Sequence, residues 1–170
     1  MSMTIPSAIR TAGTRRVLFV PGGVADLNAI TVTEALAAEN VSCYLSGAGF
    51  ELAGEQGSIP DRRYCSSQVF EIPGEKTKTL QLTYVFNLDE PTEDEARLAL
   101  TEGTAGTIIR FLQKDEGDDT FAASDWYDAV NIVAGEQVPI DGEENAVDRI
   151  RQKAFIRSEW AAWKQLVAAP

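Results

Sequence analysis

The chain has 170 residues, 44% of them hydrophobic, and a formal net charge of −11 from 26 acidic and 15 basic residues. That size predicts one domain, residues 1–170, with a packed core, and the acidity argues against an ordinary nucleic-acid surface or binding to anionic membranes. The absence of histidine removes the commonest general base, the commonest metal ligand and every Ser-His or Cys-His nucleophile, and so points away from catalysis.

Met1 to Thr14 is small, polar and aperiodic, and reads as a terminal arm. Its first ten residues have no apolar run of the secretory type, and no window of the chain approaches 18 consecutive apolar residues. Cytoplasmic synthesis is expected, with Cys43 and Cys65 as reduced, buried small hydrophobes. Val17 to Val20 predicts a short buried strand that stops at Pro21-Gly22-Gly23. Thr31 and Glu34 have capping-box spacing, so a helix of one or two turns is expected, ending near Asn40. Val41 to Leu45 is a strand candidate.

Ser46 to Arg63 is rich in glycine and charge. It reads as a long functional loop, about residues 46–63, in which Phe50 and Leu52 mark at most a ragged hairpin. The cleanest period in the chain follows. Leu80, Leu82, Tyr84 and Phe86 alternate with Thr79, Gln81 and Thr83, which predicts a strand with one buried face. Pro73-Gly74 carries turn chemistry, and Ser66 to Ile72 is the expected partner strand, forming a hairpin at the centre of the sheet. Thr92 and Glu95 suggest a second capping box opening a helix over Glu93 to Thr101, with Gly103 as its stop.

Thr107 to Leu112, Trp126 to Ala134 and Val147 to Arg157 read as strands, separated by a charged turn at Lys114 to Asp119 and an acidic loop at Asp141 to Asn145. The tail after Ser158 fits either a helical stripe of Trp160, Trp163 and Val167 or an arm or edge strand. The tally is about seven strands and one or two short helices. It predicts a mainly β (α+β) fold, an antiparallel β-sandwich or open barrel with one flanking α-helix.

No motif carries chemistry. Gly47-Ala48-Gly49 begins a G-x-G, but Leu52 stands where a dinucleotide loop needs its third glycine, and no Walker lysine follows Gly22-Gly23. The acidic runs at Asp115 to Asp119 and Asp141 to Glu144 do not match a calcium loop. No catalytic residue, cofactor or metal is therefore assigned. Arg62-Arg63 are either surface arginines or partners for carboxylates on a neighbouring subunit. Trp160 and Trp163 are either core or interface anchors.

Taken together, Arg16 to Pro21, Thr31 to Leu36, Asp61 to Ser66, Pro73-Gly74 and Leu100 to Gly106 give the chain a recognisable order. In that order and spacing it resembles the major tail tube proteins of long-tailed (siphovirus-type) bacteriophages, in particular those of phages of actinobacteria. It departs from the family pattern at the doubled arginine and in its tryptophan-rich tail.

The resemblance implies a structural virion protein made in the host cytoplasm. Its copies form hexameric rings that stack into a tube for genome delivery. The implied partners are the chain itself, the tape-measure protein, tail terminator and distal tail proteins, and double-stranded DNA in transit without tight binding. It further implies terminal arms at about 1–14 and 158–170 and an inter-ring role for the loop at 46–63. Arg62, Arg63, Phe50, Leu52, Trp160 and Trp163 are then the candidates for inter-subunit or inter-ring contact. The alternatives are a tail-terminator or neck ring protein or, in a different class, a small acidic hydrolase or ligand-binding domain.

Overall fold

Three apolar runs set the architecture. In the computed structural model, which describes residues 8, 10, 11, 13–115, 117–140 and 146–168, they form β1 (Arg15–Pro21), β5 (Ala105–Leu112) and the first half of β6 (Trp126–Ile140). Each is apolar on both parities because each is covered on both faces. Val17, Phe19, Ile108, Val130 and Ile132 enter one core. Leu18, Ile109, Phe111, Tyr127 and Ala129 enter a second.

The first core is closed by β4 (Phe70–Val85) and β7 (Arg149–Ile156). Here the period-two expectation is met: Leu80, Leu82 and Tyr84 pair with Ala154, Gln152 and Ile150, and all six are buried. Gln81 and Thr83, opposite Lys153 and Arg151, take the other face. The second core is capped by α1 (Val32–Leu36) and by the C-terminal strand β8 (Ala161–Gln165), followed by Leu166.

With β2 (Glu39–Asn40) and β3 (Leu45–Asp61), the strands form one continuous antiparallel sheet in the order β2-β1-β5-β6-β7-β4-β3, with β8 on β6. The sheet turns at β6, whose ladder to β7 slips between Ala134 and Gln137. Gly135 lies in that slip. A Cβ there would sit 2.6 Å from the Lys153 carbonyl oxygen, so only glycine lets the backbones approach.

The short helices follow their caps. Thr31 and Glu34 form the expected capping box around α1, and Glu34 Oε1 also accepts from the Ala25 N–H. The backbone donors of Ala25 and then Thr31 hold the Glu34 carboxyl below its ordinary value. A depressed carboxylate stabilises the fold above its unfolded pKa and loses that contribution as pH falls through the folded one. Glu34→Ala is expected to cost about 1 kcal/mol near neutrality, and the gap from wild type should shrink toward acid in chemical unfolding.

α2 (Glu95–Ala99) begins two residues later than expected, and the Thr92/Glu95 box is not its cap. Asp94 holds the N-cap position without capping the helix. Its carboxylate instead accepts from the Asn87 N–H at 2.7 Å and pairs with Arg97 at 2.9 Å. The far end is tied to the sheet by the amides of Gln152, which is buried, and Gln137, which is half-buried. Gln152 donates to the Leu100 and Gly135 carbonyls and accepts from the Tyr84 hydroxyl, while Gln137 donates to Tyr84, Arg97 and Leu100.

Several expectations are corrected. The glycine-rich segment 46–63 is no loop: up to Asp61 it is the strand β3. Pro73-Gly74 is not a turn but lies inside β4, and the reversal occurs at residues 62–69. Proline is tolerated there because β7 pairs only with Leu80 to Val85, leaving that stretch of β4 on an open edge. The hairpin stands at one end of the strand order, with β6 near its middle.

Val41 to Leu45 is mostly a 3-10 turn over Ser42–Tyr44. Cys43 and Cys65 are exposed rather than buried. The tail from Ser158 is an edge strand, not a helix, and Leu166 is buried, so it is not a loose arm. The acidic loop at 141–145, most of the N-terminal arm and the chain's last two residues lie outside the described residues.

Candidate assembly surfaces

The long strands β3 and β4 run well past the core. Their ladder continues from Ala53↔Thr79 to Asp61↔Phe70, a projection of about 30 Å at strand rise. Almost every residue along it is exposed on both faces. A two-stranded ribbon without a covering layer is marginal in water.

Its register also sorts its side chains. Between Gln56↔Lys76 and Ser58↔Pro73 β4 has one residue more than β3, so the parity of β4 changes sides there. Beyond the bulge Ile59, Ile72 and Phe70 share the face opposite to Leu80 and Leu82. They are 55%, 48% and 48% exposed. Val69 and Tyr64 add apolar surface at the tip. Such an apolar tip is the kind of surface that another protein covers.

The six residues proposed from sequence do not form one site. Arg62 and Arg63 are both exposed at the hairpin tip. Arg63 meets the carboxylate of Asp61 in its own chain through Nε and Nη2; this charge-assisted contact holds its own guanidinium pKa above the ordinary value. Phe50 and Leu52 lie at the root of β3 and pack against the first core. Trp160 joins them, edge-on to Phe50 with 6.5 Å between ring centroids, and Lys78 lies 5.6 Å over its ring. Trp163 stands apart on β8, 72% exposed.

One feature was missed in the sequence. Arg110 pairs with the buried Asp128 and lies 5.0 Å over the Phe50 ring, bracing β5, β6 and the root of β3. Nothing but the cross-strand register Arg110↔Asp128 joins them, and that register is invisible before the fold. The strand read over Val147 to Arg157, charged on one side, is found as β7, with the stripe Arg149, Arg151 and Lys153 on its outer face. Among the described residues no carboxylate forms a salt bridge with it. The alternation R-x-R-x-K was readable in the chain as a charged face.

Of the glycines weighed in the sequence, Gly47 and Gly49 lie within β3, and Gly22 and Gly23 form a turn. Gly22 and Gly23 have φ of +79° and +89° and end β1. Among the described residues no group of three or more Cys, Asp or Glu side chains is placed to hold a metal ion. Among the described residues no helix is long and apolar enough to cross a membrane.

Comparison with known proteins gives the family. No curated protein matches the chain. Among solved structures the fold is similar to a chain in the cryo-EM structure of the anti-feeding prophage baseplate, symmetrised six-fold. The TM-score is 0.56 at 10% identity, covering 92% of this chain and 98% of that one. The family model described as phage tail tube protein matches residues 3–169. That match takes in both the hairpin and the β8 edge, and the chain belongs to the phage tail tube protein family, the structural proteins of the virion tail.

Proposed function

We propose that this chain is the major tail tube subunit: six copies close a ring, and rings stack into an open-ended channel for the genome. The observation that carries the reading is the β3–β4 hairpin, which projects an apolar tip that its own subunit cannot cover. A heterologous contact that closes at six makes the ring, and a hairpin reaching the next ring continues the tube. No catalytic step is assigned. The function is geometric.

The charge balance supports a channel that does not grip its cargo. A basic wall would release counterions from DNA and bind it tightly; an acidic wall repels phosphate. In this reading the outer face of β7, with Arg149, Arg151 and Lys153, turns toward protein rather than toward the bore. The tape-measure protein occupies the bore before the genome, and terminator and distal proteins close the two ends.

Sedimentation across a concentration series is the test. Mass that keeps growing with concentration supports a tube. A plateau at one ring favours a terminator or neck protein instead. A monomer at every concentration, with a ligand-dependent thermal shift, would replace the reading with a binding domain.

A further inference from the structure

Two exposed surfaces of different character lie at the two ends of β4. One is the hairpin tip, at and beyond the Asp61↔Phe70 pair. Its apolar face holds Ile59, Ile72 and Phe70, with Val69 and Tyr64 next to them. Asp61 shares that face, but its charge is taken up by Arg63. Glu71 alternates with Phe70 and Ile72 and so faces the other way. Arg62 is exposed, and no salt bridge to it exists among the described residues. The tip therefore presents apolar surface and an uncompensated cation.

The other surface follows the far end of β4. Residues 88–95 carry five carboxylates. Asp94, 3% exposed, builds the loop: it accepts from the Asn87 N–H and holds Arg97. The Asn87 side chain accepts from the Asp89 N–H, and the Glu93 N–H closes a turn on the Glu90 carbonyl. Asp89, Glu90, Glu93 and Glu95 are left exposed, and none forms a salt bridge among the described residues. Leu88 beside them is 66% exposed, and Val147 and Asp148 are exposed where β7 begins, next to the Val85↔Arg149 pair. Against these carboxylates stand Arg97, already held by Asp94, and the half-buried Arg149. β4 has 16 residues, so tip and loop are roughly 50 Å apart along it, and one copy cannot bring them together.

We propose that the hairpin tip of one copy seats on the 88–95 loop of a second copy, in the next ring. The inference names the receiving surface of the stacking contact and rests on the tube reading above. Charge selects the occupant: four free carboxylates repel a second such loop and attract Arg62. Leu88 and Val147 give the apolar tip a surface to bury. Position selects the geometry. Surfaces at opposite ends of one strand make a heterologous contact that repeats along the strand direction without closing, as a growing tube requires.

Charge exchange in the full-length chain tests it. Arg62→Glu should raise the concentration needed for assembly about tenfold. The pair Asp89→Lys and Glu90→Lys should weaken assembly from the receiving side. All three changes in one chain should restore it, because a tip glutamate then meets loop lysines. These side chains are exposed, so each variant should unfold within a few degrees of wild type, which separates lost contact from lost fold.

A photo-crosslink gives the second readout. Cys65 is exposed at the tip. In a Cys43→Ser chain it can carry a benzophenone, on a minor fraction of copies mixed into unlabelled protein. Irradiation of the assembled protein should attach the label to residues 88–95 or 146–148 of another copy, read by mass spectrometry of the peptides. Tubes in which the label marks other residues, or a charge exchange that does not restore assembly, would overturn this contact and leave the tube reading standing. Short oligomers that carry the crosslink but never become tubes would overturn the tube reading and leave the contact. A wild-type chain that stays monomeric would overturn both.

Discussion

Gln152→Leu is expected to lower the unfolding free energy by about 3 kcal/mol, which for a chain of this size is a fall of roughly 6–12 °C in Tm. Leucine fits the volume but supplies neither donor nor acceptor. The Gly135 carbonyl then loses its side-chain donor, and the Tyr84 hydroxyl loses its acceptor. Gln152 is 1% exposed, so water does not replace them. Thermal and denaturant unfolding of the two proteins check the value.

The same network predicts a pH dependence. Burial pushes the Tyr84 phenol up to about 12, against the lowering effect of the Gln137 donor and the Arg97 charge. A raised folded pKa means the contribution is whole below the unfolded value near 10 and is lost as pH rises through the folded one. The stability gap between wild type and Tyr84→Phe should therefore close between about pH 10 and 12. A gap unchanged across that window would show that the phenol does not titrate there.

The largest functional effect is expected from shortening the hairpin. Replacing Gly54 to Lys78 with Asn-Gly joins Ala53 to Thr79, a registered pair, through a turn suited to a two-residue hairpin. Phe50, Leu52 and Leu80 keep their places in the core. The removed ribbon adds nothing to that core, so the Tm should shift by only a few degrees. Tubes should be absent from the truncated protein under conditions where the full chain makes them. Deleting Gly47 to Pro60, the segment that composition marks, would confound the result by taking Phe50 and Leu52 with it. Tubes from the Asn-Gly variant would remove the hairpin from the account of stacking.

How far the sequence could be read follows from which forces act locally. β1, β5, β6 and the periodic part of β4 were legible because burial writes itself as an apolar run or an alternation. The Thr31/Glu34 cap was legible because its partners are three residues apart. The outer half of the hairpin was not. A ribbon exposed on both faces has no hydrophobic period, and Gly54, Gly57 and Pro60 read as loop when only the partner strand makes them ladder.

Pro73-Gly74 misled for the same reason: turn chemistry is a local preference, and an open strand edge overrides it. Of the six contact candidates, Phe50 and Leu52 serve the core first, and the distance between Trp163 and the arginines at the tip came only with the topology. The half-buried Gln137 and the buried Gln152 look like ordinary polar positions until the Leu100 and Gly135 carbonyls are brought to them.

Negative-stain electron microscopy of the purified full-length protein, concentrated without other tail components, tests self-assembly into a tube most directly. The expected image is open-ended tubes of uniform width that lengthen with concentration and project six-fold when seen end-on. Isolated globules, or closed rings that never stack at any concentration, would contradict it.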